Sequence, residues 1–235
     1  MQMIQLNESG WAKSFLIFEK NSGKAAIIDP VYDFVNDYLT KIDTMGLKLE
    51  MCIATHTHAD HITGCFTIAE STGCDYVMWH STASLGVTKY VSEESELTLG
   101  DEKITFYHVP GHTEDSMLVV TAKHVFTGDF LFTGDGGVGR DDLPSGRMQS
   151  HFDSLKVMSK LSGDLLVCTG HEAPGVEFQT LSWNRQHNPV LNMSEFKEYV
   201  EWQNITTEQL GYVSKIKVAL PANLFAEIPD DVPWL

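Results

Sequence analysis

The segment Thr55-His56-Thr57-His58-Ala59-Asp60-His61 puts three histidines and an aspartate within six residues. It follows directly on Leu47–Ala54, which reads as a strand. On a helix, His56 and His58 would point to different sides. In a tight loop at the end of a strand, all four side chains can converge on one point. Neutral imidazole and carboxylate are the ligand types of zinc and iron sites. The chain has only ten histidines, so three in one short window weigh strongly against a His-rich surface loop. Such a chain needs a sheet whose edge gathers loops, and this loop needs partners from elsewhere in the sequence.

Three later strand exits supply them. Pro110-Gly111-His112-Thr113 follows Ile104–Val109. Thr127-Gly128-Asp129 follows a strand beginning at His124, and Thr169-Gly170-His171-Glu172 follows Leu165–Cys168. Each pairs a small residue with one ligand-type side chain, and glycine lets the backbone turn sharply there. Further strands are expected at Phe15–Phe18, Ala25–Asp29, Tyr76–Trp79 and Met117–Thr121. Helices are expected at Phe34–Ile42, Ile62–Glu70 and Phe152–Leu161. Ser92–Glu96 reads as an acidic surface loop. Strands alternating with helices point to a mixed α/β core over residues 1–178. Beyond it the apolar density falls, and residues 179–235 read as a C-terminal extension packing on the core, with one helix at Met193–Trp202.

Composition narrows the partners. Sixteen Lys+Arg against thirty-two Asp+Glu leave a net charge of −16, which repels phosphate backbones and anionic membrane faces, so nucleic acid is not expected. No apolar run approaches the roughly 18 residues of a membrane span, and the start of the chain lacks the basic and apolar regions of a signal peptide. Four cysteines are too few for a disulfide scaffold. A reduced, cytoplasmic protein is expected.

The ordered set His56, His58, Asp60, His61, His112, Asp129 and His171 resembles the metallo-β-lactamase superfamily, whose signature is H-x-H-x-D-H followed by a separate His, Asp and His. That resemblance implies an α/β fold, an αββα sandwich of two mixed sheets with helices on the outer faces, and a metal site at one sheet edge. Three local features resemble its persulfide dioxygenase branch, relatives of glyoxalase II: His58-Ala59-Asp60-His61-Ile62-Thr63-Gly64; Thr127–Phe132 followed by Gly139-Arg140-Asp141; and Asn188-Pro189 with Pro221-Ala222-Asn223 in the tail. The branch implies one Fe(2+) per chain held by His56, His112 and Asp129, with positions open for a thiol persulfide and O2 and the terminal sulfur oxidised to sulfite. His58, Asp60, His61 and His171 would then orient ligands by hydrogen bonding. Glutathione persulfide is one candidate substrate. His171 is followed by Glu172-Ala173-Pro174, where the dioxygenases tend to carry Asp-Tyr-Arg side chains that help hold glutathione. Weak glutathione binding is therefore expected, with Arg140 the leading substrate-binding candidate and Arg147 and Arg185 behind it.

The alternative is a binuclear thioester hydrolase of glyoxalase II type, in which the same seven residues hold two Zn, Fe or Mn ions and Asp129 bridges them. A non-catalytic metal-binding or sulfur-sensing module ranks below both. Gly134-Asp135-Gly136-Gly137-Val138-Gly139 matches G-x-G-x-x-G, but Pro144 closes off a following helix, so it reads as a flexible active-site loop and not a dinucleotide site. Cys52 and Cys168 read as buried and inert, and Cys65 as core or site-facing. Trp183, Tyr199 and Trp202 read as packing or dimer contacts, leaving a homodimer open.

Overall fold

The computed structural model describes residues 1–7, 12–93 and 95–235. Among these residues, twelve strands form two six-stranded sheets. The first sheet runs β1 (Gln2–Gln5), β2 (Phe15–Phe18), β3 (Lys24–Ile28), β4 (Lys48–Ile53), β5 (Asp75–Trp79) and β6 (Lys89–Val91) in sequence order. Its first two pairings are antiparallel and the rest parallel. The second comprises β7 (Glu96–Leu99), β8 (Glu102–His108), β9 (Met117–Val120), β10 (His124–Gly128), β11 (Leu166–Thr169) and β12 (Gln179–Thr180), also neighbours in order. Only β10 and β11 pair in parallel there.

The inner faces meet in a core of Phe15, Ile17, Ile28, Ile53 and Trp79 from the first sheet against Phe106, Val119, Phe126 and Cys168 from the second. Helices cover both outer faces. On the first sheet lie α1 (Val35–Thr44) and α2 (Cys65–Thr72), with Val35, Tyr38 and Ile42 of α1 buried at helical spacing. The second carries α3 (Met148–Ser154) and α4 (Leu181–His187). This is the αββα sandwich the sequence implied.

The tail holds more helix than expected. After α4 come α5 (Phe196–Leu210) and α6 (Ile216–Phe225). A reciprocal capping box between Glu195 and Glu198 starts α5. Pro221 lies inside α6, against the usual rule, where Ala219 and Ala222 are buried against the first sheet's helical layer. In contrast, α5 packs through Tyr199 and Trp202 on the second sheet's layer. The extension therefore spans both layers, and residues 211–215 form the crossing. Between the short strands β6 and β7, the exposed Ser92 and Glu93 fit the expected acidic loop, whose Glu94 lies outside the described residues.

Candidate metal centre

Four strand ends deliver the polar side chains. His56, His58, Asp60 and His61 leave β4; His112 follows β8; Asp129 follows β10; His171 follows β11. Two groups form. Single ligand-type atoms of His56, His112 and Asp129 lie within 4.8 Å of one another, and so do those of His58, Asp60 and His61. The rings of His56 and His58 are 4.1 Å apart, and those of His56 and His112 4.9 Å. His171 joins the groups: Nδ1 is 2.6 Å from Asp129 Oδ1 and Nε2 is 2.9 Å from Asp60 Oδ2.

Each imidazole is oriented from behind. His56 Nδ1 donates at 2.9 Å to the Thr55 hydroxyl, which itself donates at 2.8 Å to Asp29 Oδ2. His112 Nδ1 donates at 2.5 Å to the Arg140 carbonyl, leaving Nε2 toward Asp129. His58 Nε2 lies 3.3 Å from Asp29 Oδ1. The atoms left over are His56 Nε2, His58 Nδ1 and His61 Nε2, all buried and without a hydrogen-bond partner. Orphaned buried nitrogens are costly unless something fills the gap. Nitrogens with lone pairs beside a carboxylate are what a divalent transition metal takes, so the residues fit the implied metal. Burial, and then the neighbouring His58, holds His56 well below the usual imidazole range; burial also lowers His61 and His112. Neutral imidazole is the ligating form. For His171 burial works against the charge, but Asp129 and then Asp60 outweigh it and keep the ring well above that range.

A cavity of about 700 Å³ opens over the site. Its wall includes Phe132, Val138, Leu143 and Arg140, and residues 212–215 of the crossing. Arg140, the leading substrate-binding candidate, lines it, and its guanidinium is engaged. Nε and Nη2 donate to Asp142 at 2.6 and 2.7 Å, and Nη1 to the Gly211 carbonyl at 2.7 Å. Arg147 and Arg185 also donate to backbone carbonyls, those of Gly146 and Leu161 among them. Glu172 caps a loop: its Oε1 accepts from the Thr133 N–H at 2.7 Å.

The glycine-rich stretch is pinned, which corrects its reading as a flexible loop. Asn188 donates to the Phe132 and Gly137 carbonyls, and Asn184 accepts from the Gly134 N–H. A side chain at Gly137 would overlap the Trp202 ring, and one at Gly139 the Asp129 carbonyl. Glycine is there for close approach. Cys65 lies in the core, its Sγ 2.9 Å from Cys52 Sγ.

Sequence reasoning missed Asp29. It is buried, adopts φ 48°, and contacts Thr55 and His58 directly and His56 through the Thr55 hydroxyl. A carboxylate closing the strand just before Pro30 was the signal available.

The metallo-beta-lactamase superfamily pattern matches residues 12–171. The chain belongs to that superfamily, and with two clustered ligand groups the family supports metal binding. Over 217 residues it is 29% identical to the mitochondrial persulfide dioxygenase ETHE1 of Mus musculus, spanning 90% of this chain and 82% of the relative. The crystal structure of ETHE1 from Myxococcus xanthus matches with a TM-score of 0.88 at 29% identity, covering 96% of this chain and 99% of that one. A hydroxyacylglutathione hydrolase of Cereibacter sphaeroides is 28% identical over 186 residues, 76% of this chain and 69% of the relative. Among the described residues, no helix is long and apolar enough to cross a membrane.

Proposed function

We propose that this chain is a non-haem iron persulfide dioxygenase, oxidising the terminal sulfur of a low-molecular-weight thiol persulfide to sulfite with O2. The observation that carries the reading is likeness over 90 to 96% of the chain, most of the extension included, to ETHE1 proteins. His56, His112 and Asp129 would hold one Fe(2+), a two-histidine, one-carboxylate set that leaves positions open. When bound, the iron supplies the redox chemistry that couples persulfide and O2.

The protein's own groups have separate tasks. The Thr55 hydroxyl and the Arg140 carbonyl fix the tautomers of His56 and His112 by accepting hydrogen bonds from their Nδ1–H groups. His171 lies between Asp129 and Asp60, 2.6 and 2.9 Å from their carboxylates, and holds the Asp129 carboxylate in one orientation. Phe132, Val138 and Leu143 give the cavity an apolar wall against which a substrate sulfur could pack.

A second reading is the binuclear thioester hydrolase of glyoxalase II type, favoured by the second ligand group, His58, Asp60 and His61, with His171 beside it. Oxygen uptake with glutathione persulfide and coenzyme A persulfide, run beside metal quantification, separates the two. One iron per chain with sulfite formed is expected. Two metals per chain, with thioester hydrolysis and no oxygen uptake, would replace the dioxygenase with the hydrolase.

A further inference from the structure

Asn223 of α6 is 2% exposed, and every polar group of its side chain is in use. Nδ2 donates to the carbonyls of His58 and His61, each at 2.9 Å, and Oδ1 accepts from the Thr63 N–H at 2.8 Å. A primary amide has two N–H groups to give, and both go to the histidine loop. That loop has left β4 and has no ladder partner for these carbonyls, so a side chain 162 to 165 residues downstream supplies one.

The opposite side of the site is held in the same manner by α5. Gln203 and Tyr199 are fully buried. Gln203 Nε2 donates to the Gly139 carbonyl at 2.9 Å and to the Tyr199 hydroxyl at 2.8 Å. Tyr199 donates onward to Asp141 Oδ2 at 2.8 Å. Gly139 and Asp141 flank Arg140, whose carbonyl accepts the hydrogen bond from His112 Nδ1. The Gly139 N–H donates to the Asp129 carbonyl at 2.9 Å. The backbone from 139 to 141 is thus wedged between α5 and two of the candidate ligands.

We infer that Asn223 and Gln203 are positioning residues of the metal site, each fixing one half of the ligand set through backbone. Asn223 sets the His58–His61 turn, and Gln203, with Tyr199, sets the His112–Asp129 side. The hydrogen bonds of both go to backbone groups or to Tyr199, not to a ligand side chain. Pro221-Ala222-Asn223 thereby gains a task that its place in the tail did not suggest. The inference needs a metal at this site but no particular reaction, so it stands or falls separately from the dioxygenase reading.

The test uses the full chain with Asn223→Asp, which keeps size and removes both donors, Asn223→Ser, and Gln203→Met. Imidazole nitrogen resonances are read by NMR on metal-free protein, and Co²⁺ affinity by competition with a chelator. Asn223 variants are expected to shift the His58 and His61 signals and leave His112 in place; Gln203→Met is expected to do the reverse. Co²⁺ affinity should fall about 10- to 100-fold in each, the usual effect of removing a hydrogen bond behind a ligand. Shifts spread evenly over all these histidines, or unchanged Co²⁺ affinity in folded variants, would overturn the inference. Loss of folding in all three variants would also overturn it, by assigning both residues to the fold alone.

Discussion

The Asp29 carboxylate takes both the backbone N–H of Thr55, at 2.7 Å, and its hydroxyl, at 2.8 Å. Thr55 precedes the first candidate ligand, so Asp29 governs where the histidine loop begins. Asp29→Ala should lower Co²⁺ or Fe²⁺ affinity about 10- to 100-fold. It should also destabilise the chain, since alanine tolerates φ 48° poorly. Asp29→Asn, which accepts the left-handed backbone and keeps one acceptor, should fall between the two. Chelator competition together with thermal melts checks the order; a wild-type affinity in Asp29→Ala would remove Asp29 from the site.

The two ligand groups should respond differently to truncation. His56→Ala, His112→Ala and Asp129→Ala are expected to abolish iron binding and oxygen uptake. His58→Ala and His171→Ala should keep iron while losing about 10- to 100-fold in affinity. Iron analysis of the five purified variants decides it. Equal metal loss in His58→Ala and His56→Ala would favour the binuclear reading.

Arg140 is bound to Asp142 and to the Gly211 carbonyl, so its first effect is on the wall formed by the crossing. Arg140→Ala and Asp142→Asn should each raise KM for a persulfide about two- to fivefold, the scale of a partly exposed ion pair, with iron content unchanged. Should Asp142→Asn instead lower KM, the freed guanidinium would be assigned to direct binding of the substrate's carboxylates.

Burial pushes the Asp141 carboxyl up to about 6. Its native form then binds a proton more tightly than the unfolded chain does, whose carboxyl titrates near 4. Stability should accordingly fall as pH rises from about 4 to about 6 and level off above. His151 acts in the opposite sense: burial lowers it to about 3, and its contribution is lost as pH falls below the unfolded value near 6.5. Asp141→Asn removes the first effect and keeps the second. Urea midpoints of variant and wild type from pH 4 to 7 should diverge in favour of the variant up to about pH 6. A constant difference would show that Asp141 does not titrate in that window.

The candidate ligands were legible because each is a chemically specific residue just beyond a strand, and strands such as Phe15–Phe18 announce themselves by apolar runs. The residues that hold those ligands were not. Asp29 acts on Thr55, 26 residues away, and Asn223 on His58, 165 away. Both look like ordinary polar residues until the chain has folded. Helix α6 was hidden by Pro221, and α5 was read too short because Thr206, Thr207 and Gln209 dilute its apolar face. The glycines from 134 to 139 suggested mobility, since sequence records the missing side chain but not the tryptophan ring or carbonyl in its place.

The crossing from α5 to α6 divides labour along the chain. Four of its five residues, 212–215, border the cavity, while the side chains that steady the metal-binding loops sit in the helices before and after it. Changes confined to residues 212–215 can therefore reshape the cavity wall while the loops keep their supports. A protein so arranged can diversify its diet by drift in a single short stretch, and that stretch is the place to randomise when a new substrate is wanted.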